Sequence, residues 1–167
     1  MFARLTVDGK MDSSFGSNGK SLINIPELVA DGASLAIQRD GRIVAAGNSR
    51  DRNIPNSKQL TVIRLRNDGS LDPSFGKGGI VRTDVVADKD ESAVRVMVLP
   101  DERILVGGSA SSDKRTYDFF LVRYNAEGGL DRTFGDAGKV ITKEAGDLLL
   151  QPDGRIVVVS SSGRDST

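Results

Sequence analysis

The segment Arg64 to Gly76 returns in altered form at Arg4 to Gly16 and again at Arg123 to Gly135, so the chain is three copies of one unit of about 60 residues, approximately 4–63, 64–122 and 123–167. A unit of this size buries its apolar face only by stacking on a neighbour, which points to an array or a propeller. The repeat constrains shape and names neither a ligand nor a reaction.

One unit reads as four short strands. In the second copy these are Ile80–Thr83, Ala93–Leu99, Arg103–Gly108 and Phe119–Tyr124, β-rich runs separated by turn residues. The first copy supplies Lys20–Ile25, Ala33–Gln38, Arg42–Asn48 and Leu60–Arg66. The third supplies Lys139–Thr142, Asp147–Gln151 and Arg155–Ser161. Val94, Val96 and Val98 form a wholly apolar alternate row, which predicts one deeply buried strand face. No segment offers a capped helical period of useful length. The reading is all-β: a β-propeller of four-stranded antiparallel blades, three per chain, in a single repeat domain spanning 1–167.

The turns are more specific than the strands. Gln38-Arg39-Asp40-Gly41-Arg42-Ile43 and Gln151-Pro152-Asp153-Gly154-Arg155-Ile156 set Asp-Gly between apolar runs, because a tight hairpin needs a positive φ that glycine supplies without strain. Pro100-Asp101-Glu102-Arg103 is the same site with Glu102 in place of glycine, and predicts a wider or strained hairpin. A longer connector, placed between blades, carries Asp12, Asp72 and Asp131, then Phe15, Phe75 and Phe134. These acids read as Asx turns with the phenylalanine wedged between blades, in preference to a ring of cation ligands. Arg4, Arg64, Arg123, Arg42, Arg103 and Arg155 recur in step with them and call for carboxylate partners on the next blade.

Composition narrows the chemistry. Lys plus Arg equals Asp plus Glu at 23 each, so the basic excess of a nucleic-acid binder is missing. The chain has no Cys and no His, which removes thiol nucleophiles, thiolate zinc sites and the usual general base. No catalytic, cofactor-binding or metal-binding residue is singled out, and no cofactor is expected. Neither a leader pattern nor a membrane-spanning run is visible, so no membrane partner is expected and a cytoplasmic location is the default.

The connector and hairpin resemble the delta-60 repeat family of bacterial proteins. Phe119 to Asn125, Asp68 to Gly76, Gly138 to Val140 and Leu150 to Ile156 match its aromatic strand, its Asp-Gly-Ser-Leu-Asp-Pro-Thr-Phe-Gly connector, its Gly-Gly-Lys-Val strand and its Leu-Gln-Pro-Asp-Gly-Lys-Ile hairpin. The resemblance covers nearly the whole chain. It implies a β-propeller-like fold, often found within large surface or secreted proteins, and it implies no reaction. Glu102 departs from the pattern, as does the third copy, which runs 19 positions from Gly135 to Gly154 where the first runs 25 from Gly16 to Gly41.

Propellers use about four to eight blades, so three do not close a ring. Phe2 to Val7 reads as a lone last strand, and the third copy stops after its third strand. This predicts a homodimer in which strand 2–7 of each copy completes the third blade of the other, giving six blades. Strand alternation sets the Asp-Gly hairpins and Asp-Phe-Gly connectors at one end of each blade. The other end holds the irregular loops Pro26–Gly32, Ser49–Gln59, Thr83–Ser92, Ala110–Tyr117 and Lys143–Gly146. There Arg50, Asp51, Arg52, Lys58, Asp113, Lys114 and Arg115 mix both signs, which suits a protein or glycan partner bound by a non-catalytic scaffold. Two competing readings are a calcium site at Asp84, Asp88, Asp90 and Glu91, and a glycan-acting enzyme with two carboxylates in a central channel. The small-residue strands Val44–Gly47, Val106–Gly108 and Val158–Ser160, read as channel-facing, offer that enzyme no titratable group.

Overall fold

A computed structural model describes residues 1–25, 28–51, 58–113, 115, 117–142 and 146–160. All of its regular structure is strand: β1 Phe2–Ala3, β2 Lys20–Ser21, β3 Leu28–Ile37, β4 Ile43–Asp51, β5 Gln59–Leu65, β6 Ile80–Thr83, β7 Asp90–Val98, β8 Ile104–Ser111, β9 Asp118–Tyr124, β10 Lys139–Thr142, β11 Gly146–Leu150 and β12 Ile156–Ser160. They form two antiparallel four-stranded sheets, β3-β4-β5-β6 and β7-β8-β9-β10, and two two-stranded pairs, β1-β2 and β11-β12. Among the described residues no sheet closes on itself.

The phase of the blades differs from the sequence reading by one strand. Ile80–Thr83 pairs with β5, the strand it follows, and ends the first sheet instead of opening the second. The physical reason is the connector, which folds back tightly: Leu65 bridges Leu71, and the Arg64 amide donates to the Gly79 carbonyl at 2.9 Å. The connector is therefore an elaborate hairpin within a sheet, and the crossing to the next sheet is the short stretch 84–89. Phe2–Ala3 likewise pairs with Lys20–Ser21, so strand 2–7 is not a lone element; only its first residues are strand, paired to β2 of the same chain.

β3 and β7 start earlier than their periodicity predicts, taking in Leu28–Gly32 and Asp90–Ser92 from the expected loops, and each carries a bulge. Register shifts between Gly32 and Ser34, and between Ala93 and Arg95. An extra residue moves the side chains beyond it to the other face. Ala93 and Val96 consequently share the buried side while Val94 is exposed, which breaks the expected row of Val94, Val96 and Val98. Small residues on β4 and β8 follow from the same feature. A Cβ on Gly47 would lie 2.0 Å from the Asp31 carbonyl oxygen, and one on Gly108 would lie 2.4 Å from that of Ser92.

The main core lies between the two complete sheets. Val44, Leu60 and Val62 of the first meet Val96, Val106 and Phe120 of the second, with Phe75 from the intervening connector. A second cluster, Leu105, Phe119, Leu121 and Leu148, joins the second sheet to β11. Buried apolar area at roughly 25 cal/mol per Å² is the main force holding the sheets face to face. Tyr124 Oη and Thr83 Oγ1, both buried, sit 2.6 Å apart and join the sheets by a hydrogen bond.

Candidate functional site

The two ends of the sheets differ in kind. At the hairpin end each connector is built on one motif. Arg64 Nε donates to Asp72 Oδ2 at 2.7 Å and Nη2 to Ser74 Oγ at 3.0 Å, and the guanidinium lies 4.7 Å from the Phe75 ring centre. Asp72 Oδ1 accepts the Ser74 amide at 3.1 Å, closing an Asx turn. Arg4, Asp12, Ser14 and Phe15 repeat the arrangement, as do Arg123, Asp131, Thr133 and Phe134. The Asx-turn reading of these acids therefore matches the geometry.

The arginine partners are nearer than expected. Arg42 Nη1 reaches Asp72 Oδ2 at 3.2 Å and Arg103 Nη1 reaches Asp131 Oδ2 at 2.9 Å, both within their own sheets. What crosses to the next unit is a hydrogen bond to main chain: Arg4 Nη1 to the Asn67 carbonyl at 2.6 Å, and Arg64 Nη1 to that of Ala126 at 2.5 Å. All three connector carboxyls sit below the usual aspartate range. The Ser14 hydroxyl is the main cause at Asp12, and the Thr133 hydroxyl followed by Arg103 at Asp131. At Asp72 burial pushes upward, and the hydrogen bonds from Ser74 together with Arg64 outweigh it.

Glu102 keeps the tight hairpin at the price of strain. The Leu99 amide meets the Arg103 carbonyl at 2.7 Å, as Gln38 meets Arg42 at 2.8 Å, while Glu102 takes a φ of 66°. The turn is therefore no wider. Its carboxylate accepts from Gln38 Nε2 at 3.1 Å across the two sheets.

At the opposite end Glu91, read from sequence only as one acid of a calcium set or a polar loop, has a structural role that the sequence did not signal. It is buried, with Oε2 accepting the Leu60 amide at 2.6 Å and Oε1 accepting the Val86 amide at 2.9 Å and also the Val85 amide. One carboxylate thus clasps β5 and the crossing stretch to β7. Burial pushes its pKa up, against the pull of those amides. Asp90 accepts the Lys58 amide, and Lys89 pairs with Asp118 at 2.6 Å. Asp84, Asp88, Asp90 and Glu91 do not converge into a metal-holding group; none is formed among the described residues. Pro26, Glu27, residues 52–57, Lys114, Thr116, residues 143–145 and Ser161 lie outside the described residues.

Neighbouring sheets meet through both kinds of strand, β7 lying against β3 and β4 and β11 against β7 and β8; the small-residue β4, β8 and β12 pair with the edge strands β3, β7 and β11. These edge strands do carry charge. Arg95 on β7 forks onto Asp147 on β11 at 2.5 and 2.7 Å, beside an open groove of about 230 Å³ lined also by Leu149, Val157 and Val159. That arrangement is an ion pair, not two facing carboxylates. A wider open depression of about 450 Å³ lies at the hairpin end, between Asp40, Arg42, Arg66, Asn67 and Asp68.

A family model described as "Domain of unknown function (DUF5122) beta-propeller" matches residues 38–75 and 99–134. Both matches run from an Asp-Gly-type hairpin to a connector phenylalanine, the parts whose geometry repeats most closely. No curated protein and no solved structure matches the chain. The described fold is all-β, and the family model that matches these two stretches is that of a β-propeller domain.

Proposed function

We propose that this chain is a non-catalytic scaffold of delta-60-type repeats, that three blades' worth of sheet from each of two copies make a six-bladed disc, and that it binds a polar protein or glycan partner through the rim opposite the hairpins. The observation that carries this reading is the contrast between the ends. At the hairpin end the recurrent charges are spent on the fold itself. At the other rim Arg50, Asp84, Asp88, Arg115 and Tyr117 are exposed, differ between copies and mix both signs. A rigid sheet stack with non-repeating loops on one rim is suited to recognition.

Immobilised protein probed with glycan and peptide arrays tests the reading. Binding is expected to be lost in an Arg115→Ala, Tyr117→Ala double variant and kept in Asp68→Ala at the hairpin end. Binding that depends on Asp68 and ignores the rim overturns it.

A further inference from the structure

In both complete sheets the second strand meets the third in one register: Ile43 opposite Leu65 and Val44 opposite Arg64, then Ile104 opposite Tyr124 and Leu105 opposite Arg123. β12 begins the same way after Arg155, and its far edge has no strand partner among the described residues. β1, which follows the third-strand pattern with Arg4-Leu5, also pairs on one side only among the described residues. Carried over, the register sets Ile156 opposite Leu5, Val157 opposite Arg4 and Val158 opposite Ala3.

The connectors are incomplete in matching places. Arg42 and Arg103 each bridge two carboxylates, but among the described residues Arg155 has Asp153 alone. Asp72 and Asp131 each hold two guanidinium groups, but among the described residues Asp12 has Arg4 alone. Gly16 and Gly76 donate to the Asp68 and Glu127 carbonyls of the next connector at 2.7 and 2.8 Å. Gly135 has no such acceptor among the described residues, and the equivalent carbonyl is that of Asp8. Phe15 and Phe75 are capped by Gly69 and Gly128, where a Cβ would lie 2.9 Å from each ring; Phe134 is only half-buried, while Gly9 has nothing within 4 Å of its Cβ position.

The faces are incomplete in the same way. Val96 is 3% exposed against the first sheet, whereas its counterpart Leu35 is 61% exposed. Leu105 is 0% exposed against β11, whereas its counterpart Val157 is 41% exposed. Apolar faces of this kind on a repeat are covered by the next unit.

We propose that a second copy of this chain lends its β1-β2 pair to β11-β12, completing a sheet in the order β11-β12-β1-β2, with the partner's Asp12 on Arg155, the partner's Gly9 over Phe134 and the partner's Leu35 against Val157. This rests on the two-copy reading above and replaces exchange of one strand by exchange of half a sheet. The occupant is a second copy because every missing group has its complement on this chain. The three blades' worth of sheet in these residues falls below the range of about four to eight that closes a ring, and two copies fall within it.

Light scattering at tens of micromolar is expected to give twice the 17.8 kDa of one chain. Because the chain has no cysteine, register can be read directly. Ala3→Cys protein mixed with Val158→Cys protein is expected to yield a disulfide-linked pair. Val157→Cys, one residue out of register and on the other face, is expected to yield little. Arg155→Ala, whose side chain is exposed in one chain, is expected to weaken association about ten-fold and leave the monomer fold intact. A single-chain mass overturns both the seam and the two-copy reading. A double mass without the 3–158 link overturns the seam alone.

Discussion

The connectors 64–76 and 4–16 have the same chemistry and different surroundings. In the first, the Arg64 side chain is 3% exposed and flanked by complete sheets; in the second, Arg4 is 33% exposed and stands on a two-stranded pair. Bond lengths hardly change between them, at 2.7 Å for each arginine-to-aspartate contact. The lesson is that the motif folds locally, and that its energetic weight comes from what covers it.

Removing the apolar part of the motif has the largest effect. Phe75→Ala is expected to cost about 4 kcal/mol in urea unfolding, since the ring is fully buried in the main core. Phe134→Ala, at a half-buried ring, is expected to cost clearly less. Equal losses would break the link between covering and energetic weight.

Next comes the charge. Arg64→Ala leaves the buried Asp72 with Arg42 as its remaining guanidinium and is expected to cost about 2 kcal/mol. Arg4→Ala, at low concentration, is expected to shift the urea midpoint only slightly, because water covers the lone Asp12. If two copies join as proposed, raising the concentration is expected to narrow the gap, with Arg155 of the partner subunit over Asp12.

Acid separates the ends of the sheets by sign. Asp12, Asp72 and Asp131 titrate below their ordinary value of 3.8, so their stabilisation is complete above it and is lost as pH falls through their folded values. Glu91 titrates above its ordinary 4.5, so the folded chain takes up that proton first. Stability is therefore expected to hold or rise slightly as pH falls towards about 4.5, then to drop in the range of the connector acids. Urea midpoints measured from about pH 7 down to about pH 2 check this, and Glu91→Gln is expected to remove the early rise.

The smallest effect is at the second hairpin. Glu102→Gly relieves a positive φ worth about 1 kcal/mol and loses the contact from Gln38, so a net gain below about 1 kcal/mol is expected in thermal unfolding.

What could be read from sequence was local. The Asp-Gly hairpins, the Asx turns at Asp12, Asp72 and Asp131, and the strands around Ile43, Ile104 and Ile156 are set by residues a few positions apart. Blade phase was not legible, because the Asp-Phe-Gly connector looks long enough to cross between sheets and only its bridge from Leu65 to Leu71 turns it back. The bulges at Ala33 and Val94 leave no mark in the apolar alternation except its violation. Glu91 looked like one more acid in a polar loop, since its counterpart in the first copy is Ala30, and nothing nearby announces the amides of Leu60, Val85 and Val86.

The link from Arg4 to Asn67, and from Arg64 to Ala126, ends on a peptide oxygen. Any amino acid offers that oxygen, so the receiving position is free to drift without weakening the joint. Gene duplication can then add or exchange units whose surfaces have diverged, because the fastener between them is written into the polypeptide and not into the side chains it joins.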